Sequence, residues 1–496
     1  MFTRRTALRS GAALTGTLGA AGLAVPLLGG TEAGAAAAPG EAPGEAAAGA
    51  ADLDVSALVK FTRPLPALPV LSPRRRTARA ETYELRQRET ECEIVPGLKT
   101  RVRTFDGCFA PPVIKAVRGR RTVIRQVNEL TVPTSVHLHG GHVPESSDGG
   151  PMDLVQPGAS RTYTYPNEQA HANLWFHDHA HHQESETVFR GLTGLYLLTD
   201  ETEQRLPLPS GAYDVPIAIR DIRLDESGQI VYAMNDGKDR NLMLANGVAY
   251  PYLAVAARKY RFRIVNTSNL RTLDLRLSDG SSYVQIGSDG GLLAKPFTTA
   301  SLTLSSGERA DIVVDFARYA AGTRLVLKNA VASPPGPEDQ IGDLLEFRVG
   351  ERAEDRSRIP DTLRSLPPLP APDRTREIEL LMGADGIGLI DGKAYEEGRV
   401  DAEIPFGSTE LWSIRNANDR GSHNFHVHLV QFRVVERNGQ PVTAGPESGL
   451  KDTVRLAPGE TVKVQATFGG YRGDFVYHCH MIDHAAMGMM ATMRVG

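Results

Sequence analysis

The residues best suited to chemistry lie in the last twenty of the chain: Tyr477-His478-Cys479-His480-Met481-Ile482-Asp483-His484-Ala485-Ala486-Met487-Gly488-Met489. The run before them, Asp474-Phe475-Val476-Tyr477, reads as a strand, in which alternate side chains point to opposite faces. His478 and His480 then face one way and Cys479 the other. A thiolate so placed binds one metal while the flanking imidazoles offer nitrogen to metals behind it. His484 and Met489 return at short spacing, as a loop folding back over the sulfur supplies them. One cysteine, two histidines and a weak axial methionine form the ligand set of a blue-copper electron-transfer site. Its second histidine must come from elsewhere, and His423 is the candidate.

The chain has 14 histidines, clustered beyond structural need. Four His-x-His pairs stand out: His137-Leu138-His139, His177-Asp178-His179, His426-Val427-His428 and His478-Cys479-His480. On strands, each pair sets two imidazoles on one face. Eight imidazoles converging from two domains can hold a cluster of three copper ions, with the cysteine-bound copper on the far side of the last strand. A single histidine on an apolar face is more often a satisfied core residue, and His142, His171, His181 and His182 are read that way, although His181 continues the alternation of His177 and His179. Met481, Met487, Met490 and Met493 are read as core packing.

The elements that must position these residues are short strands. Residues 82–94, 99–105, 122–128, 160–165 and 194–198 alternate apolar with polar residues between Pro/Gly turns. Strands at 215–220, 259–265, 273–277 and 310–314 follow in a middle third without histidine, then 410–415, 432–437 and 461–466. The division expected is a signal peptide over 1–38, a disordered linker and lead-in over 39–80, β units over 81–205 and 206–350, a charged then Pro-rich linker over 351–373, and a last β unit over 374–496. The fold class expected is all-β, three sandwich-like units with metal residues in the first and third only.

Bulk properties agree. With 496 residues, 49 of them Gly and 32 Pro, the chain suits several turn-rich β domains. A net charge of -4 gives no reason to expect nucleic acid or an anionic membrane as partner. The arginine clusters at 74–76 and 118–121 read as solvated faces. Arg4-Arg5, a weakly apolar Gly-rich stretch and small residues beyond it read as a twin-arginine export signal, with no stop-transfer pattern and hence no stable membrane insertion. Cys92 and Cys108 flank a Pro96-Gly97 hairpin whose register does not set them opposite, so two thiols are expected rather than a disulfide.

Taken together, His137-Leu138-His139-Gly140, Leu174-Trp175-Phe176-His177-Asp178-His179-Ala180, His423-Asn424-Phe425-His426-Val427-His428-Leu429 and His478 to Met490 resemble the signatures of three-domain multicopper oxidases of the bacterial laccase type, near spore-coat laccases and bilirubin oxidases. Looser likeness at Phe105-Asp106-Gly107 and Ala457-Pro458-Gly459-Glu460 extends this over the first and third domains. The resemblance implies three cupredoxin domains, Greek-key sandwiches or barrels, and four coppers. His423, Cys479, His484 and Met489 would bind a type 1 copper. His137 and His426 would bind a type 2 copper, and His139, His177, His179, His428, His478 and His480 a type 3 pair. The middle domain would serve as a copper-free spacer.

The expected reaction couples four one-electron oxidations of phenols, aminophenols or aromatic amines to reduction of dioxygen to two waters. Electrons would enter at His484 and pass through Cys479 to its histidine neighbours. Asp148, eleven residues past His137, resembles the family's proton-supplying carboxylate; the plainer reading is an Asp in a Ser-Ser-Asp-Gly-Gly turn. Many bacterial relatives carry Glu directly after the last type 1 histidine, where this chain has Ala485. Three other readings compete: a cuprous-ion oxidase in copper tolerance, disfavoured by only 10 Met with no dense tract, a bilirubin oxidase-like activity, and a non-catalytic cupredoxin scaffold, disfavoured because every ligand position is filled. The physiological donor and the oligomeric state are left open by the sequence.

Overall fold

The computed structural model describes residues 51–107, 109–330, 334 and 341–496. The Arg4-Arg5 signal, the linker up to residue 50, and Cys108 with its relation to Cys92 lie outside the described residues.

One plan is repeated three times. In each third an opening strand pairs in parallel with a later one, which pairs antiparallel with a third strand. The trios are Ala80–Cys92, Arg121–Asn128 and Ser160–Tyr165; Asp214–Ile222, Lys259–Asn266 and Arg309–Asp315; and Arg374–Met382, Thr409–Asn416 and Thr461–Thr467. The facing sheets repeat as well. Val113–Val117 runs parallel to Thr193–Thr199, Tyr252–Ala257 to Asp343–Arg352, and Ala402–Ile404 to Met490–Val495. Two twisted sheets closed over an apolar core by such crossovers form a Greek-key cupredoxin sandwich, and the chain carries three.

Alternation drives the outer strands. Arg121–Asn128 buries Thr122, Ile124, Gln126 and Asn128 and turns the residues between them outward. The strands that carry histidine depart from this rule. Ala172–Asp178 and His423–Val427 are buried at every position, because another domain covers the face that would otherwise meet water. Apolar cores lie between the sheets, around Tyr83, Leu85 and Ile124 in the first domain and around Trp412, Phe425 and Tyr477 in the third.

The connecting segments are tied down. Within the expected disordered linker and lead-in, residues 51–80 are ordered: Asp52 pairs with Arg223, Val55 is buried, and the Phe61 and Leu65 amides donate to Tyr250 and Tyr252. This lead-in straps the middle domain and then reaches the first, where the Leu71 amide donates to Val113. The first residues of the stretch taken as linker, Glu351 and Arg352, complete the Asp343–Arg352 strand. Beyond them Asp355 pairs with Arg258, and Arg364 donates to the Gly290 carbonyl. Among the described residues no helix is long and apolar enough to cross a membrane.

Candidate metal centre

Two antiparallel strand pairs set the histidines face to face. Val136–His139 lies beside Ala172–Asp178 with His137 opposite His177, and His423–Val427 lies beside Gly473–Cys479 with His426 opposite His478. The second member of three pairs, His179, His428 and His480, sits just past its strand end. Three of the pairs divide their members between groups, and only His426 and His428 fall in one group together. Ligand nitrogens gather within 4.8 Å as His137, His426 and His428; as His139, His177 and His480; and as His179, His428 and His478.

Outer hydrogen bonds fix which nitrogen is free. His137 Nδ1 donates to the Asp148 carbonyl at 2.7 Å, His177 Nδ1 to the Asp178 carbonyl at 2.8 Å and His426 Nδ1 to the Asp452 carbonyl at 2.8 Å. His478 Nδ1 meets the Cys479 carbonyl at 3.1 Å, His428 Nδ1 meets Asp148 Oδ2 at 2.7 Å, and His139 Nε2 meets Asp452 Oδ1 at 2.9 Å. A carbonyl only accepts, so the rings of His137, His177, His426 and His478 carry their proton outward and a lone pair inward. The inward nitrogens crowd together: His139 Nδ1 is 2.9 Å from His480 Nε2, and His179 Nε2 and His428 Nε2 are 3.2 and 3.3 Å from His478 Nε2. His137 Nε2 and His426 Nε2 are buried with no partner. Lone pairs so arranged repel unless cations sit among them. The residues present fit a metal cluster.

Burial keeps these rings neutral, as ligands must be. It lowers His177 and His179 to about 3 and His478 to about 4. The carboxyl of Asp148 is driven the other way, well above the usual range, by burial and then by the nearby Asp153 and Glu145. Its Oδ1 has no partner, and the residue lines a cleft of roughly 190 Å³ with Glu145, Asp153, Glu397 and Asp474 on its walls.

On the opposite side of the last strand, Cys479 Sγ lies 3.7 Å from His423 Nδ1 and 3.6 Å from His484 Nδ1, with the two nitrogens 3.2 Å apart. Met489 is fully buried, its carbonyl accepting from the Cys479 amide and its amide donating to the His484 carbonyl. Burial pushes the Cys479 thiol up to about 12, so a thiolate here requires a cation beside it. His484 is half-buried and, with His423, borders a cavity of roughly 420 Å³ whose walls include Leu270, Met382, Met481 and Arg420.

The middle domain reaches this centre without supplying a histidine. Arg309 grips Asp452 at 2.6 Å, Asn424 Nδ2 donates to the Ser306 carbonyl, and Ser306 Oγ donates to the His480 carbonyl at 2.9 Å. At Gly307 (φ +84°) a Cβ would stand 2.7 Å from His480 Nδ1, so the backbone passes too close for any side chain. Asp483 is held by Arg240 at 2.7 Å with Ser185 and Asn269, and these keep its carboxyl below the usual range. It is ionised and committed.

Asp452, Arg309, Asn424, Arg240 and Asn418, whose Oδ1 accepts from His423 Nε2 at 2.8 Å, escape sequence reasoning. The Lys451-Asp452 pair, two opposite charges directly before the Thr453–Leu456 strand, is the one available signal. His171 and His142 hold ordinary partners, Asp200 at 2.9 Å and the Leu429 carbonyl at 2.8 Å, as expected of structural histidines.

Comparison with known proteins supplies the family. The multicopper oxidase models match residues 87–203, 225–327 and 369–496. The laccase of Bacillus subtilis (strain 168) is 34% identical, the alignment covering 88% of this chain and 99% of that protein. The bilirubin oxidase of Albifimbria verrucaria is 33% identical over 87% of this chain and 80% of its own. The crystal structure of a laccase from Pediococcus acidilactici superposes with a TM-score of 0.82 at 30% identity, covering 88% of this chain and 95% of that one. With that identity over most of its length and a family match in each domain, the chain belongs to the multicopper oxidases, as a three-domain oxidoreductase of the laccase type.

Proposed function

We propose that the chain binds four coppers and couples one-electron oxidation of small phenolic, aminophenolic or aromatic amine donors to reduction of dioxygen to two waters. His423, Cys479, His484 and axial Met489 would hold the type 1 ion. His137 and His426 would hold the type 2 ion, and His139, His177, His480 with His179, His428, His478 the type 3 pair. Bound copper supplies the one-electron steps and the binding of oxygen.

The observation that carries this reading is the inward convergence of imidazole lone pairs on one face of the last strand, with a lone buried thiol on the other. His478 and His480 are covalent neighbours of Cys479, which gives electrons a through-bond route. The cavity beside His484 is lined by apolar Leu270, Met382 and Met481 together with polar Asn235, Asn418 and Arg420, a mixture suited to a small aromatic donor. Asp148 holds a proton at its unpartnered oxygen and, through His428 and the His137 backbone contact, sits against the proposed cluster. Arg4-Arg5 supports export of the folded protein. The test is a donor panel of aminophenols, bilirubin, dimethoxyphenol and cuprous ion with oxygen uptake measured. Turnover of the aromatic donors supports the reading; cuprous ion alone as donor replaces it with a metal oxidase.

A further inference from the structure

One neighbourhood outside the ligand clusters is buried, polar and unmatched. Glu184 opens the Glu184–Phe189 helix at 2% exposure, and neither carboxyl oxygen has a hydrogen-bond partner. His181 Nδ1 is also buried without a partner, 3.9 Å from Glu184 Oε1. That span is too long for a direct bond and suits a bridging water. Two residues earlier, His179 Nδ1 is a fourth unmatched atom.

This line of polar atoms leads outward as well. The His181 ring packs on Tyr395 with centroids 4.8 Å apart, and its amide donates to the Pro151 carbonyl at 3.0 Å. Tyr395 and Pro151 line the acidic cleft that also reaches Asp148. Of the charged and titratable groups facing Glu184, only His182 draws its value down, and burial outweighs it. His182 Nδ1 is committed to the Ala486 carbonyl, Asp483 adds negative charge and is bound to Arg240, and Tyr395 is a phenol. Burial pushes the Glu184 carboxyl up to about 8, so it keeps its proton at neutral pH.

We propose that Glu184 is a second proton store for oxygen reduction, refilled from the acidic cleft past Tyr395 and His181 and delivering through water to the His179 side of the cluster, separately from Asp148. This rests on the oxidase reading above. Reduction of dioxygen takes four electrons from the donors and four protons from solvent to give two waters, and Glu184 passes protons on without net change. It touches neither oxygen nor donor and acts through the intervening water.

Glu184→Gln preserves shape but cannot hand on a proton, whereas Glu184→Asp can. Copper-loaded wild type and both variants are compared by reoxidation of the fully reduced protein with oxygen, over a range of pH, and by infrared titration of the protonated-carboxyl band. The expected result is a band lost as pH rises through about 8 and absent from Glu184→Gln. Reoxidation of Glu184→Gln should slow about tenfold near neutral pH, less than the ~10²-fold of a sole positioned donor because Asp148 remains. Glu184→Asp should restore part of the rate, and reduction of the Cys479 centre by donor should not change. Wild-type reoxidation in Glu184→Gln at all pH values, or a band untouched by that substitution, overturns the proposal. Should Glu184→Gln not fold, the wild type decides: a rate limb that shares the midpoint of the carboxyl band near pH 8, beside the limb of Asp148, supports it, and a rate with no limb at that midpoint overturns it. A wild type that takes up no oxygen overturns the oxidase reading and this proposal together, and that failure is seen before any variant is compared.

Discussion

Arg309 Nη2 lies 2.6 Å from Asp452 Oδ2, while Asp452 Oδ1 meets His139 Nε2 at 2.9 Å. The arginine belongs to the middle domain, the carboxylate to the third and the histidine to the first. All three are fully buried. A domain expected as a spacer therefore helps fix the protonated nitrogen of a proposed copper ligand in a different domain.

Breaking a buried pair strands a charge, at a cost of about 3–5 kcal/mol. Arg309→Leu should lower the apparent unfolding free energy by about that much and loosen copper retention at the His139 site. Denaturant midpoints and copper content after dialysis check both. Asp452→Asn strands the arginine instead, but Asp289 Oδ1, 3.8 Å from Arg309 Nη1, remains as a buried counter-ion, so this variant should destabilise less.

Asp148→Asn should leave donor oxidation under anaerobic conditions intact and slow reoxidation by oxygen about tenfold, short of the ~10²-fold of a sole donor because Glu184 remains. In the wild type the rate should fall as pH rises through the elevated Asp148 value, because the proton is then lost; in the variant that limb should vanish. Rapid-mixing measurements with the reduced protein read both.

The copper-free protein should be acid-sensitive. His177 and His179 titrate at about 3 when folded against a reference of 6.5, so the unfolded chain binds more protons between those values. Stability is then fully present above pH about 6.5 and falls as pH drops toward 3. Copper, which needs the neutral rings, should suppress the loss near neutrality. Urea midpoints with and without copper, taken as a function of pH, test it.

If Met489 is a weak donor to a copper at Cys479 as proposed, Met489→Leu should raise the potential of that site and Met489→Gln should lower it. Redox titration of the visible thiolate band measures the shift.

How much of this was legible in the sequence depends on the kind of signal. The His-x-His pairs announce themselves because i, i+2 spacing on a strand puts both rings on one face. Cys479 between two such rings sets a soft donor against nitrogen donors on the opposite face, an order that metal binding uses and plain core packing does not need. Strand positions follow from alternation, and the structure places strands where the pattern indicates. The partners that set the ring tautomers were not legible. Asp452, Arg309 and Asn424 are common residue types, and Arg309 meets Asp452 across 143 positions of chain, a pairing no local pattern encodes. Asp148 illustrates the middle case: its place in a turn is visible, but its burial comes from the third domain closing over it, through His428. The lead-in over residues 51–80 looks like an extension of the low-complexity stretch, yet Val55, Leu65 and Leu68 are buried.

The proposed function stands on one buried sulfur serving a donor-facing copper while eight imidazoles behind it hold three more. Metal analysis of fully reconstituted wild type beside Cys479→Ser addresses both halves at once. Four coppers per chain are expected in the wild type, and three in Cys479→Ser, with the thiolate band gone and the cluster signals kept. One or two coppers in the wild type, or a Cys479→Ser variant that keeps its visible band, would contradict it.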